Sequence, residues 1–301
     1  MRHTEANYPQ RGTEVKITSA RRGTDIIFGV VSGSELADLS ASFSSPQELV
    51  AEVHAEGGRS RVDSMAAEAA RFNLDDVTLL PPVPFPRRIL CVGKNYAAHI
   101  AESDQAASAT PHPAIFTRFP SSLVGHGEHL ERSRVSTSYD YEGELAIIIG
   151  QPTRYATRDD ALDAIAGYTC FMDGTMRDFQ RHTSQFVPGK SFDRSGACGP
   201  WMVTADEIAD PYALTLTTRV DGEIVQQAST SLLIHDLEAV IIYCSMFTTL
   251  EPGDIIATGT PGGVGYVKEP PLWLEPGRQV SVDVTGVGML VNTVIDEPRW
   301  Q

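Results

Sequence analysis

The chain has 301 residues, 42% of them hydrophobic and 21% charged, with a formal net charge of −15. These values exclude bulk disorder and allow one large domain or two, with about three quarters of the unfolded surface buried and no need of a staple. The acidic balance excludes a phosphate-binding surface as the main function, so no nucleic-acid partner is expected, and it sets a condition: an anionic substrate needs local positive charge from a metal or a basic cluster.

The chain opens with M-R-H-T-E-A-N-Y-P-Q, which has no apolar run and does not read as a signal peptide. Strands are expected over Val15–Ser19, Asp25–Val31 and Glu35–Leu39, and helices over Pro46–Glu56 and Ser64–Phe72. Pro81-Pro82-Val83-Pro84-Phe85-Pro86 suits neither a helix nor a central strand and reads as a linker. The expected division is therefore a small N-terminal α+β domain over 1–82 and a larger domain over 83–301.

Beyond the prolines, Arg88–Val92 reads as a buried strand and Asn95–Ser103 as helix, with a small polar loop over Ser103–His112. A long strand is expected over Thr137–Ile149, helix over Ala161–Ile165, a strand over Ala166–Met172, and helix then loop over Asp178–Phe186. Tyr212–Val220 and Glu223–Ala228 read as a hairpin turning at Asp221-Gly222, followed by an amphipathic helix over Ile234–Phe247. Strands close the chain over Asp254–Thr258, Gln279–Val284 and Gly288–Ile295. Many strands and few long helices indicate a β-rich α+β fold. Cys91, Cys170, Cys198 and Cys244 are widely spaced without a C-x-x-C and read as buried free thiols, and no apolar run approaches about 18 residues, so a cytoplasmic protein without a membrane span is expected.

Three segments carry candidate chemistry. In Tyr139-Asp140-Tyr141-Glu142-Gly143-Glu144, strand alternation puts Glu142 and Glu144 on one face, next to a buried apolar run. Two such carboxylates repel unless neutralised, which a hard divalent cation does well. The alternative is an edge strand with two solvated glutamates, and Asp140 reads as structural. Asp173 ends a strand, where it can join the same site or cap a helix, while Arg177 and Gln180 share a helical face and suit a substrate carboxylate. His99 and Glu102 are three apart on a helical turn and can form a water-activating dyad, though an ordinary surface pair is the commoner reading of such spacing. Lys190 reads by default as a solvated lysine. The loop Gly259-Thr260-Pro261-Gly262-Gly263-Val264-Gly265 lacks both nucleotide-binding patterns and reads as a turn whose amides and Thr260 hydroxyl can grip a carboxylate.

In chain order, V-G-K-N-Y-A-A-H-I-A-E, P-A-I-F-T-R-F-P-S-S-L-V-G, Y-E-G-E-L-A-I-I-I-G, G-Y-T-C-F-M-D-G-T-M-R-D-F-Q, G-K-S-F-D and G-D-I-I-A-T-G-T-P-G-G-V-G resemble the fumarylacetoacetate hydrolase family, in its acylpyruvase or fumarylpyruvate hydrolase-like branch. The resemblance implies a rolled, mixed β-sheet fold, a homodimer, and Mg²⁺ or Mn²⁺ (Ca²⁺ in crystals) on Glu142, Glu144 and Asp173. It implies a catalytic His99–Glu102 dyad assisted by Lys190, with Arg177, Gln180, Thr260 and Gly259 contacting substrate. Two departures stand out: M-D-G-T-M-R-D where many members have N-D-V-S-A-R-D, and Arg118 where many have Lys. The implied reaction is hydrolysis of a carbon–carbon bond in a 2,4-dioxo acid, giving pyruvate and a carboxylic acid. His99 deprotonates water, and Lys190 and Gln180 hold the oxyanion. The alternatives are oxaloacetate decarboxylation, or isomerase, hydratase or lyase chemistry on related 2-oxo acids. A non-enzymatic, metal-stabilised binding protein is the remaining reading.

Overall fold

A computed structural model describes residues 15–102 and 111–299. The opening segment, and the polar loop except for its last two residues, lie outside the described residues. The N-terminal elements are β1 (Lys16–Arg22), β2 (Asp25–Ser32), β3 (Glu35–Asp38), α1 (Pro46–His54), α2 (Gly58–Glu68), β4 (Arg71–Asn73) and β5 (Thr78–Leu80). Next come β6 (Ile89–Gly93), α3 (Ala97–Glu102), β7 (Ala114–Thr117), β8 (Leu123–Val124), β9 (His129–Arg132), β10 (Tyr139–Asp140) and β11 (Gly143–Ile149). After them lie β12 (Ile165–Met172), β13 (Thr175–Met176), α4 (Arg177–Gln180), α5 (Val187–Lys190) and β14 (Gly196–Thr204). The chain ends with β15 (Thr215–Val220), β16 (Glu223–Ser229), α6 (Leu237–Phe247), β17 (Ile255–Ala257), β18 (Gln279–Val284) and β19 (Gly288–Asp296).

The large sheet runs β4-β3-β2-β1-β14-β12-β11-β17-β6-β7, with β5 on β1 and β8 on β14. A second sheet runs β16-β15-β18-β19-β9. Both sheets mix parallel and antiparallel pairs, since β17–β6, β14–β8 and β19–β9 are parallel. The expected β-rich α+β architecture is what the chain adopts.

β11 is central, pairing with β12 on one side and β17 on the other, and it is buried throughout. Its Ile-rich sequence suits a strand covered on both faces. Leu145, Ile147 and Ile149 join one core, with residues of α6 and of the second sheet. Ala146 and Ile148 join another, with Leu49, Val50 and Val53 of α1. Strand alternation thus divides one short segment between two cores.

The proline run is packed, not an open tether. Val83 is fully buried, Ser19 Oγ donates to Pro82 O at 2.9 Å, and Gln47 Nε2 donates to Phe85 O at 2.7 Å. The large sheet also crosses the 82/83 division, because β1 pairs with β14 at Lys16↔Val203 and Ile17↔Met202.

Several element boundaries differ from expectation. The second helix lies earlier, at Gly58–Glu68, because Arg71 and Phe72 pair with Ala37 and Leu36. Over 161–165 there is a short 3-10 turn at Leu162–Ala164 before β12, and α4 is a single turn. β14 was not expected, since G-A-C-G-P-W argues against a central strand. The ladder absorbs Pro200 through a register shift between Tyr168 and Cys170 of β12. The long strand over 137–149 breaks after Asp140, where β10 leaves the large sheet to pair with β13. Replacing Ile147 or Ile148 with Ala is expected to cost about 2–5 kcal/mol each. Urea unfolding of the two variants checks this, and a cost under ~1 kcal/mol would place either residue outside a packed core.

Candidate active site

The break after β10 builds the site. Glu142 lies in the gap, Glu144 begins β11, and Asp173 follows β12 and donates its N–H to Glu142 O at 2.8 Å. One carboxylate oxygen from each of Glu142, Glu144 and Asp173 lies within 4.8 Å of the others. The three residues are only 5%, 2% and 0% exposed, so the solvated-edge reading fails. Nor does Asp173 cap a helix, since Met176 stands at the start of α4.

Lys190 is likewise no solvated lysine. It is 1% exposed, and its Nζ donates to Glu142 Oε2 at 2.7 Å and Asp173 Oδ2 at 2.5 Å. Its helix α5 packs tightly on α4: a β-carbon on Gly189 would fall 2.5 Å from Gln180 N, which requires glycine. Arg177 donates from Nε to Asp140 Oδ2 at 2.7 Å and from Nη1 to Gln180 Oε1 at 3.0 Å. Its Nη2 forms an ion pair with Glu142 Oε1 at 2.7 Å. Arg118 donates to Asp173 Oδ1 at 2.6 Å, Gly174 O at 2.8 Å, Ser195 Oγ at 2.9 Å and Ser122 Oγ at 3.1 Å. The departure at 118 is thus a buried brace on Asp173, and Asp140 has the structural role expected of it.

Burial opposes charge on Glu142, but Lys190 and Arg177 outweigh it and hold the carboxyl below its usual range. Burial also opposes charge on Lys190, yet Asp173 and Glu142 raise its pKa. Glu144 is less compensated, by Lys190 without an ion pair and by one backbone amide. It accepts the Gly259 N–H at 2.7 Å and has no ion pair among the described residues. Burial, then repulsion from Asp173 and Glu142, push its pKa well up. Buried Asp140, Glu142, Glu144 and Asp173 therefore face Arg118, Arg177 and Lys190, one positive charge short. Three convergent carboxylate oxygens and that deficit fit a hard divalent cation, for which Glu142, Glu144 and Asp173 could supply the ligands.

Asn95 positions the His99 helix. Its side chain donates to Thr258 O at 2.8 Å and His235 O at 3.0 Å, and accepts His235 N–H at 2.7 Å. His99 reaches the cavity with the acidic triad. Burial pushes its imidazole down to about 4, so the ring is neutral near pH 7. The expected hydrogen bond to Glu102 is not formed among the described residues. His99 Nδ1 has no partner there, and both Glu102 oxygens accept Gly263 N–H, at 2.8 and 2.9 Å.

The glycine-rich loop also differs from a simple substrate grip. Gly259, at φ +102°, turns its amide to Glu144. Thr260 lines the cavity, but its hydroxyl donates to Gly143 O at 2.9 Å and accepts Gln226 Nε2–H at 2.8 Å. Gln226 also accepts Gly143 N–H at 3.0 Å, so it supports the strand break. Arg177, Gln180 and Lys190 share the cavity, of about 510 Å³, with His99. Phe116 and Phe186 form an apolar wall, edge to face at 5.6 Å. Gln226, Tyr266 and Phe186 carried no sequence signal, and Phe116 stood only inside a family motif, because their roles depend on contacts across the fold.

Mn²⁺ is expected to raise the thermal midpoint of the protein, with about 2.7 kcal/mol of stabilisation at a hundredfold excess over Kd. Glu144→Gln and Asp173→Asn should each lose most of that shift. Scanning calorimetry with and without EDTA checks it, and equal shifts in all three proteins would move the metal elsewhere.

Residues 88–295 match the model of the fumarylacetoacetate (FAA) hydrolase C-terminal domain. The mitochondrial oxaloacetate tautomerase FAHD2A of Bos taurus is 39% identical over 234 residues, covering 77% of this chain and 74% of that protein. Oxaloacetate tautomerase YisK of Bacillus subtilis is 40% identical over 225 residues, covering 74% and 75%. The structure of maleylpyruvate hydrolase from Sphingobium sp. SYK-6, with manganese(II) and pyruvate, superposes with a TM-score of 0.78 at 31% identity, over 94% of this chain and all of that one. With the motifs, the fold and most of its length in common with these enzymes, the chain belongs to the fumarylacetoacetate hydrolase family.

Proposed function

We propose that this protein interconverts the enol and keto forms of a 2-oxo acid, with oxaloacetate as substrate. The state of His99 carries the reading. Its imidazole is neutral, faces the cavity, and is not coupled to Glu102 among the described residues. A hydrolase needs a base directed at water, with a partner that orients it. A tautomerase needs one group that takes a proton from the enol oxygen and returns it at carbon. His99 suits that cycle: neutral, it accepts the O–H proton, and burial makes the resulting imidazolium a ready donor to C3. The proton count is conserved and no co-reactant is consumed. The names of the relatives in cattle and in Bacillus subtilis support the same substrate.

Glu142, Glu144 and Asp173 are the proposed ligands for Mg²⁺ or Mn²⁺, which would supply Lewis-acid polarisation of the 2-oxo group. Gln180, beside Arg177 and Lys190, orients the substrate carboxylate. Phe116 and Phe186 keep water from the reacting carbon. Hydrolysis of a 2,4-dioxo acid is the second reading, favoured by the manganese- and pyruvate-bound maleylpyruvate hydrolase and by the place of Glu102 on the His99 helix. A homodimer fits the outward Met246 and Phe247 of α6, 57% and 54% exposed.

Decay of enolic oxaloacetate absorbance, with pyruvate assayed in parallel, separates the readings. Loss of enol without pyruvate is expected, whereas pyruvate from an acylpyruvate with no effect on the enol would favour hydrolysis. His99→Gln should lower kcat by about 10²–10⁴ while keeping the Mn²⁺-induced thermal shift. An NMR titration should place the His99 midpoint near 4. Because folding depresses this pKa, the unfolded chain binds the extra proton first, so the stability owed to neutral His99 falls as pH drops below about 6.5. A His99 midpoint of 6.5 would mean that the ring is not desolvated.

A further inference from the structure

The cations around the cavity differ in their commitments. Arg177 and Lys190 are bound to carboxylates, and Lys94 lines the wall near His99. Arg181 follows α4, lines the same cavity and is exposed. It has no carboxylate partner among the described residues, yet it is held in place. Its guanidinium carbon lies 4.7 Å from the Tyr266 ring centroid, and that of Arg177 lies 4.6 Å from the same centroid. Asp140 fixes this platform, since it accepts both Tyr266 N–H at 3.1 Å and Arg177 Nε–H at 2.7 Å. Contact with an aromatic ring restrains a guanidinium without consuming its N–H donors. Thr183 and Ser184 add hydroxyls to the same rim.

We propose that Arg181 binds a second, distal carboxylate, and so selects 2-oxo dicarboxylates over 2-oxo monoacids. The assignment rests on the reading that the acidic triad end of the cavity takes the 2-oxo acid. A diacid held there extends its other charge towards the rim, where Tyr266 presents the one cavity-lining arginine with no carboxylate of its own among the described residues. Charge-assisted bonds to a guanidinium are directional and screened by salt when exposed. The selectivity should therefore reside mainly in KM and shrink as ionic strength rises.

The test compares oxaloacetate with its 4-ethyl ester, in wild type, Arg181→Leu and Arg181→Lys. Wild type should prefer the diacid in kcat/KM by roughly tenfold or more, the range of one charged hydrogen bond. Arg181→Leu should lose most of that ratio through KM, and Arg181→Lys should restore part of it. Equal losses on both substrates, or no wild-type preference, would overturn the assignment. Calorimetric binding of malate and its 4-methyl ester to the Mn²⁺-loaded proteins gives a readout independent of turnover. If no enol is consumed but malate is still favoured in an Arg181-dependent way, the tautomerase reading fails and the assignment stands. If malate and its ester bind alike, the assignment fails whatever the activity.

Discussion

A buried alternation of charge organises this molecule. Asp140, Arg177, Glu142, Lys190, Asp173 and Arg118 follow one another as acid and base, joined by contacts of 2.5–2.7 Å. Removing one partner of a buried pair typically costs about 3–5 kcal/mol, because the other is left desolvated and unpaired. Every side chain in the row is therefore held from two directions or anchored by backbone groups. Glu144 stands beside the row with one backbone amide and no cation. The site thus has one defined place for additional positive charge.

The fold is arranged to make that row possible. Its members come from β10 and the gap after it, from the residue that follows β7, from the end of β12 and from two short helices. Had residues 137–149 formed one strand, Asp140 could not turn to meet Gly265 N–H at 2.7 Å and Arg177 together. Gln226 compensates by taking the Gly143 N–H that the break leaves without a ladder partner. The apolar half of β11 is anchored in two cores, so the packed part of the strand fixes the polar part.

Local pattern made the glutamate pair, the buried isoleucine run, the Asp221-Gly222 hairpin and the last strands legible in the sequence. The ordered motifs made the family legible. Signals that depend on distant partners were not. Lys190 alone resembles any surface lysine, and nothing local says that Glu142 and Asp173 receive its three hydrogens' worth of donors. Gly259 reads as a substrate-facing loop residue, yet its amide is taken by Glu144. The His99–Glu102 spacing permits a dyad, but a backbone amide from a loop far along the chain captures the carboxylate. β14 was hidden because glycine and proline mask a central strand whose register shift is visible only in the ladder.

The net charge of −15 has a different meaning at the site than at the surface. Lys190 already donates to Glu142 Oε2, to Asp173 Oδ2 and, at 3.4 Å, to Asp173 O, which uses all three donors of an ammonium. It cannot also neutralise Glu144 without leaving one of them. Protonating Glu144 removes the excess charge but also removes a ligand. A divalent ion would resolve the conflict by turning a local charge of −1 into +1 while keeping the row intact. Such a centre would attract a carboxylate in a protein whose net charge repels it. Selectivity among anions must then come from charges outside the row, because every cation inside it is already committed to an acid.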